Sequence, residues 1–149
     1  MTGRNYTYGK VRDLIRRFGS SLARQGFKKG EVLGMVLPNL PEVPIVLLGA
    51  SGIGMPVTTV NPVYTYEEIA RQLQNSDACV VVTVPQMTET MRQVAKLCPK
   101  IRRLIVVGRP QEEFASLMEM FQDPGDLFDE NIKAYHFIFR ITVAMVTVD

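Results

Sequence analysis

The residues whose types suit catalysis are few and widely separated in this 149-residue chain. His136 is the only histidine, so a nucleophile–histidine–acid triad would have to use it. It lies in an apolar stretch with no acidic neighbour, which favours an incidental placement. One histidine and two separated cysteines also give no zinc-ligand spacing. The sequence therefore predicts no catalytic residue and no metal ligand.

Cys79 and Cys98 are too few for a disulfide framework, which indicates a reduced, intracellular protein. Cys79 falls in a predicted buried strand and is expected to be inert. Cys98 falls at a predicted helix end, where a thiol can be mildly reactive, but a structural role is the favoured interpretation for both cysteines.

Two glycine-containing runs have the composition of phosphate loops but the wrong order of elements. A phosphate loop leads from a strand into a helix, so that the helix amides face the anion. Residues 49–54 and residues 26–30, which include Lys28 and Lys29, both lead from a predicted helix into a strand. Both runs are predicted to be connectors, and no cofactor-binding residue is assigned.

The carboxylate pairs Glu67-Glu68 and Glu112-Glu113 fall in the first turns of predicted helices, where they favour the helix dipole. Their position does not favour paired-carboxylate catalysis. The side chains assigned to helix capping are Asn39, Glu42, Thr65 and Glu68.

Positive charge is concentrated in residues 1–31, where eight basic side chains face only Asp13 and Glu31. The eight are Arg4, Lys10, Arg12, Arg16, Arg17, Arg24, Lys28 and Lys29. The basic helix face lacks interleaved aromatic residues for base stacking. A solvated helix face is therefore expected. No nucleic acid partner is expected.

Helical and strand patterns alternate along the chain, which predicts an α/β fold. We expect a layered, mostly parallel sheet with helices on both faces. Strands are predicted over 32–37, 56–60, 78–84 and 104–107. Helices are predicted over 8–25, from Leu40 to Gly49 or beyond, over 66–75, and between Met87 and Pro99. A last helix is predicted from an apolar stripe made of Phe114, Leu117, Met118 and Phe121.

Several short motifs, taken in their order and spacing, resemble the N-terminal part of adenylate-forming acid–CoA ligases. The similarity is strongest to the 4-coumarate–CoA ligase and beetle-luciferase branch, and it covers roughly residues 3–133. The motifs are Tyr6-Thr7-Tyr8, Gly26-x-Lys28-Lys29-Gly30, Val36-Leu37-Pro38-Asn39-x-x-Glu42, Thr58-Thr59-Val60-Asn61-Pro62-x-Tyr64-Thr65-x-x-Glu68-Ile69, Gln72-Leu73 and Ser76.

The resemblance implies a chemistry for the full-length family. Its members use ATP and magnesium to convert a carboxylic acid into an acyl-adenylate, and then transfer the acyl group to coenzyme A. The resemblance also implies that this chain matches the first part of the large N-terminal domain. The family's serine-, threonine- and glycine-rich phosphate loop has no counterpart in the sequence.

The resemblance divides the chain into residues 1–133, a partial AMP-binding domain lacking the phosphate loop, and residues 134–149, a divergent tail of unknown structure. An N-terminal fragment that is inactive alone and binds no cofactor is expected. The alternative is a non-catalytic protein that self-associates, or docks on a full-length ligase or another partner, through an exposed sheet edge. A flavodoxin-like nucleotide-binding domain is a weaker alternative, since no strand is followed by a phosphate loop.

The longest apolar stretch, residues 135–148, contains Arg140 and is shorter than a membrane span requires. No membrane span and no signal peptide are expected. The expected location is intracellular, either cytoplasmic or, for full-length relatives, peroxisomal, although no C-terminal peroxisomal signal is present.

Overall fold

The structure, a computed structural model, describes residues 4–129. His136 and the predicted tail 134–149 lie outside the described residues. The helices are α1 (Tyr8–Arg24), α2 (Val43–Gly52), α3 (Tyr66–Asn75), α4 (Thr88–Leu97) and α5 (Leu117–Met120). The strands are β1 (Val32–Met35), β2 (Val57–Thr59), β3 (Ala78–Thr83), β4 (Arg103–Val106) and β5 (Phe114–Ser116), and a 3-10 turn covers Pro85–Met87.

The five strands form one parallel sheet in the order β2-β1-β3-β4-β5. All six residues of the central strand β3 are buried, as expected for a parallel strand covered on both faces. The chain moves outward from β1 to β2 and then crosses back to β3 on the other side. The carboxyl ends of β1 and β3 therefore flank the topological switch point, where ligands of open α/β sheets bind.

Two apolar layers cover the two faces of this sheet, which confirms the predicted architecture. Side chains from α1 and α2 pack on one face, and side chains from α3 and α4 pack on the other. Leu14, Phe18 and Leu22 form the buried stripe of α1, because residues four apart share one face of a helix. Gly26, with φ 89°, ends that helix as predicted.

The predicted last helical stripe is partly wrong, because its residues divide between the two faces of the sheet. Phe114 belongs to strand β5 and packs in the layer of α3 and α4, whereas Leu117 and Phe121 pack in the layer of α1 and α2. One helical face cannot fill both layers. The segment therefore pairs with β4 first and forms only the short helix α5 afterwards.

The predicted start of the second helix at Leu40 is also wrong, since α2 begins at Val43. In a helix starting at Leu40, the ring of Pro44 would clash with the preceding turn and remove an interior hydrogen bond. Starting at Val43 places Pro44 in the first turn, where its missing N–H costs nothing.

Candidate functional site

A crevice of about 520 Å³ lies at the carboxyl edge of the sheet, beside the switch point. Its walls are mostly apolar, and its polar groups include the Arg4 guanidinium and the Gln86 amide. The residues around it are Arg4, Pro38, Leu40, Pro62, Val84, Pro85, Gln86, Met87, Val107 and Gly108. Its position and size are those of ligand sites in α/β folds.

A buried carboxylate, that of Glu42, is bonded to the crevice residue Arg4. The Glu42 side chain is 1% exposed, and its Oε1 accepts hydrogen bonds from Arg4 Nη1 at 3.2 Å and from the Tyr6 hydroxyl at 3.0 Å. The Arg4 side chain is 36% exposed and also lies at the crevice wall. Glu42 Oε2 is buried and has no hydrogen-bond partner within the described residues. Burial and the bond to Glu42 together raise the pKa of Tyr6 above its ordinary value.

Two of the helix starts at this edge, those of α2 and of the 3-10 turn after β3, are poorly suited to cradle phosphate groups. Such cradles are built from free backbone N–H groups at the start of a helix, and proline has none. Pro44 lies in the first turn of α2, and Pro85 lies at the start of the 3-10 turn after β3. The N-cap residue of α2 is Glu42, so a buried carboxylate already lies at the positive end of that helix.

A second, more polar crevice of about 490 Å³ adjoins the first and shares Pro38 and Pro62 with it. Gln72 Nε2 donates to the Thr59 carbonyl at 2.7 Å, and Asn61 Oδ1 accepts from the Val63 N–H at 3.0 Å. These bonds fix the loop that follows β2 and leads into α3. The carboxyl edge is thus lined by two adjoining crevices.

Residues 1–132 match the family model described as AMP-binding enzyme. The chain belongs to the AMP-binding enzyme family. The 4-coumarate–CoA ligase 3 of Arabidopsis thaliana is 37% identical over 95 residues, covering 64% of this chain and 17% of the relative. The 4-coumarate–CoA ligase 3 of Oryza sativa subsp. japonica is 40% identical over 94 residues, covering 63% of this chain and 17% of the relative. The chain thus spans about a sixth of these relatives, with 17% covered in each.

A solved structure shows that the fold is also that of this family. An anthranilate CoA ligase in complex with anthranoyl-AMP superposes with a TM-score of 0.76 at 17% identity. The match covers 83% of this chain and 23% of the solved chain. The five-stranded parallel sheet therefore corresponds to the N-terminal domain of acyl-CoA ligases.

In this AMP-binding family chain, one of the two predicted capping pairs is confirmed. Thr65 Oγ1 accepts from the Glu68 N–H, and the Glu68 carboxylate accepts from the Thr65 N–H, which completes a capping box at α3. The capping roles assigned to Asn39 and Glu42 are wrong, because α2 has no side-chain cap and Glu42 bonds Arg4 and Tyr6 instead. Asn39 lines the more polar crevice.

The sequence does not predict the site roles of Arg4 and Tyr6. Their contacts with Glu42 span 38 and 36 positions of the chain, so no local pattern connects these residues. One signal was available: Glu42 precedes a helix that is apolar on nearly all sides. A carboxylate entering such a helix has to be buried with donors from elsewhere.

The two glycine-containing runs lie at the amino edge of the sheet, opposite the crevices, because each leads into a strand. Gly49 lies within α2 and allows it to pack closely on α1, since a Cβ at this position would lie 2.7 Å from the Phe18 ring. Gly54 adopts φ 82° beside the Lys29 side chain. Both runs are the predicted connectors between a helix and a strand.

Both cysteines are buried thiols within the described residues. Burial and the bond to Glu31 raise the pKa of Cys79 to about 11. Burial also raises the pKa of Cys98, whose thiol donates to the Ala70 carbonyl at 3.5 Å. A buried thiol with a raised pKa forms little thiolate, which favours a structural role for both cysteines.

Within residues 4–129, no group of three or more histidine, cysteine, aspartate or glutamate side chains is placed to hold a metal ion. No helix in that range combines the length and apolar character needed to cross a membrane.

Proposed function

We propose that this chain contributes the first α/β layer of an acid–CoA ligase. The full-length activity is ATP-dependent formation of an acyl-adenylate, followed by transfer of the acyl group to coenzyme A. The described residues support and shape the carboxyl edge of the sheet. They do not themselves bind the ATP phosphates, so residues 1–149 alone do not catalyse adenylation.

The observation that carries this proposal is the buried carboxylate of Glu42 at the start of α2. Phosphoryl and adenylyl transfer require donors and cations that neutralise developing negative charge. At this edge the positive end of α2 faces a carboxylate of the chain itself, and the Arg4 guanidinium is bonded to the same carboxylate. The described residues at the start of α2 therefore do not fit an ATP phosphate site.

The crevices support a scaffold role at the same edge. Apart from Arg4 and Gln72, their walls come from residues at or just after the carboxyl ends of β1, β2, β3 and β4, so one sheet positions most of the lining. In a longer ligase chain, this edge is the place where a ligand and the remaining catalytic groups would meet. We assign no individual residue of this chain to ATP or coenzyme A.

Acid-dependent exchange of pyrophosphate into ATP tests the proposal. The assay contains the 149-residue chain, magnesium, ATP and 4-coumarate, the acid named by the Arabidopsis relative. We expect no label above a heat-treated sample, while the Arabidopsis ligase under identical conditions gives exchange. Acid-dependent exchange by the chain would overturn the proposal.

A docking protein is the second candidate, and the sheet edges favour it. Within the described residues, the three-residue edge strand β2 pairs with β1 alone, whereas at the other edge β5 pairs with β4 and its Phe114 also bridges Gln111. An open edge can accept a further strand from another chain. Sedimentation over a range of concentrations distinguishes the candidates: a monomer supports the scaffold alone, and a stable dimer supports docking.

A further inference from the structure

Residues 123–128 cross α1 and α2 after the short helix α5, and we call them the 123–128 clasp. The Asp123 N–H still donates to the Met120 carbonyl, which attaches the clasp to α5. The next N–H bonds within the described residues run to side chains: Gly125 donates to Asp123 Oδ1 at 2.8 Å, and Leu127 donates to Ser20 Oγ at 3.1 Å. The clasp is thus held by side chains rather than by a helix or a strand.

Charge contacts hold the first half of the clasp to α1. Arg24 Nε donates to Asp123 Oδ2 at 2.9 Å, and Arg17 Nη1 donates to the Asp123 carbonyl at 2.9 Å. Arg24 also pairs with Asp126. The Asp123 side chain is 6% exposed, whereas that of Asp126 is 61% exposed. Water and salt screen the Asp126 pair strongly, so it contributes little.

The second half of the clasp is held by an aromatic ring. Phe128 packs against the apolar layer formed by α1 and α2. A Cβ at Gly19 or Gly52 would come closer than 3.0 Å to atoms of this ring. The two glycines therefore form a niche on the two helices that admits the ring only because both lack side chains.

We propose that the 123–128 clasp opens and closes as a unit separate from the sheet, with the Phe128 ring holding its second half. Segments held by few backbone bonds open at lower free energy than a central parallel strand does. Closed, the clasp fixes the place where the polypeptide leaves the α1–α2 layer. If this proposal about the clasp is wrong, the proposed function is unaffected, because the clasp does not contribute to the carboxyl edge.

Amide hydrogen exchange of the full chain tests this proposal at the Leu127 N–H. In the wild-type chain this amide is expected to exchange faster than the amides of β3, because it opens without the sheet. In Gly52→Ala the added methyl group displaces the ring. Leu127 should then exchange at least about tenfold faster, while the β3 amides stay unchanged.

Gly9→Ala is the matched control, since Gly9 lies in α1 and nothing is within 4 Å of a Cβ there. It should leave the Leu127 rate within about twofold of wild type, because it does not affect clasp opening. Exchange of Leu127 and β3 at one common rate in the wild-type chain would overturn the proposal. Unchanged Leu127 exchange in Gly52→Ala would also overturn it.

Two further variants compare the Phe128 ring with the exposed ion pair between Arg24 and Asp126. Phe128→Ala should accelerate Leu127 exchange as much as Gly52→Ala does, and Asp126→Asn should change it by less than about twofold, as an exposed pair does. If Phe128→Ala weakens the whole fold, the Leu127 and β3 amides both exchange faster. The ratio of their exchange rates therefore still reports the opening of the clasp alone. A larger ratio in Asp126→Asn than in Phe128→Ala would contradict the role given to Phe128.

Discussion

The Tyr6 hydroxyl donates a hydrogen bond to Glu42 Oε1 at 3.0 Å, which joins the segment before α1 to the start of α2. The bond spans 36 positions of the chain. Because the carboxylate is buried, leaving it without donors would cost several kcal/mol. The contact thus stabilises the arrangement that places Arg4 at the crevice wall.

Tyr6→Phe should lower the free energy of unfolding by about 1.5–3 kcal/mol, the value typical of a hydrogen bond to a charged group. The ring stays in place, but the carboxylate keeps only the Arg4 donor. Urea denaturation measures the change.

Tyr8→Phe is the matched control, because Tyr8 is 96% exposed. Its free energy of unfolding should stay within about 0.5 kcal/mol of wild type. Equal effects of the two substitutions would contradict the role of the Tyr6 hydroxyl.

Thr65→Ala should destabilise the chain by about 1 kcal/mol, because it removes the oxygen that caps α3. Asn39→Ala should cost less than about 0.5 kcal/mol, since that side chain caps no helix. Urea denaturation of both variants compares the two positions. If Asn39→Ala lowered the free energy of unfolding as much as Thr65→Ala does, the conclusion that Asn39 caps no helix would be wrong.

The sequence predicts helix α3 to the residue, because both partners of its capping box lie within three positions of each other. It does not predict the environment of Glu42, because the donors are 36 and 38 positions away. Phe114 shows the same limit. Its spacing from Leu117 fits a helix, and only the free side of β4 makes it a strand.

Stability should fall at acid pH partly through Asp123. Burial raises the pKa of this carboxyl, but the bonds from Arg24, Ser20 and the Gly125 N–H outweigh burial and lower it below its ordinary value of 3.8. A lowered folded pKa gives stability that is present above the unfolded value and is lost as pH falls through the folded value.

Asp123→Asn tests this dependence by thermal unfolding between pH 7 and about pH 2, a range that includes both protonation states. The variant should be less stable than wild type at pH 7, and the difference should shrink below the ordinary aspartate pKa. A difference that stays constant over the whole range would contradict the contribution of this carboxylate.

Both thiols should react slowly with an aromatic disulfide reagent at pH 7 in the native chain. Burial raises the pKa of each thiol, and that of Cys79 reaches about 11. In denaturant both should react fully and fast, because the unfolded thiols have ordinary pKa values and free access. Rapid reaction of either thiol in the native chain would contradict the burial of the two cysteines.

Calorimetric titration of the 149-residue chain with ATP and magnesium measures whether the carboxyl edge binds the nucleotide. Because the Glu42 carboxylate at the start of α2 occupies the position where an anion would otherwise bind, we expect only the heat of dilution. A saturating one-site isotherm would contradict this role of Glu42.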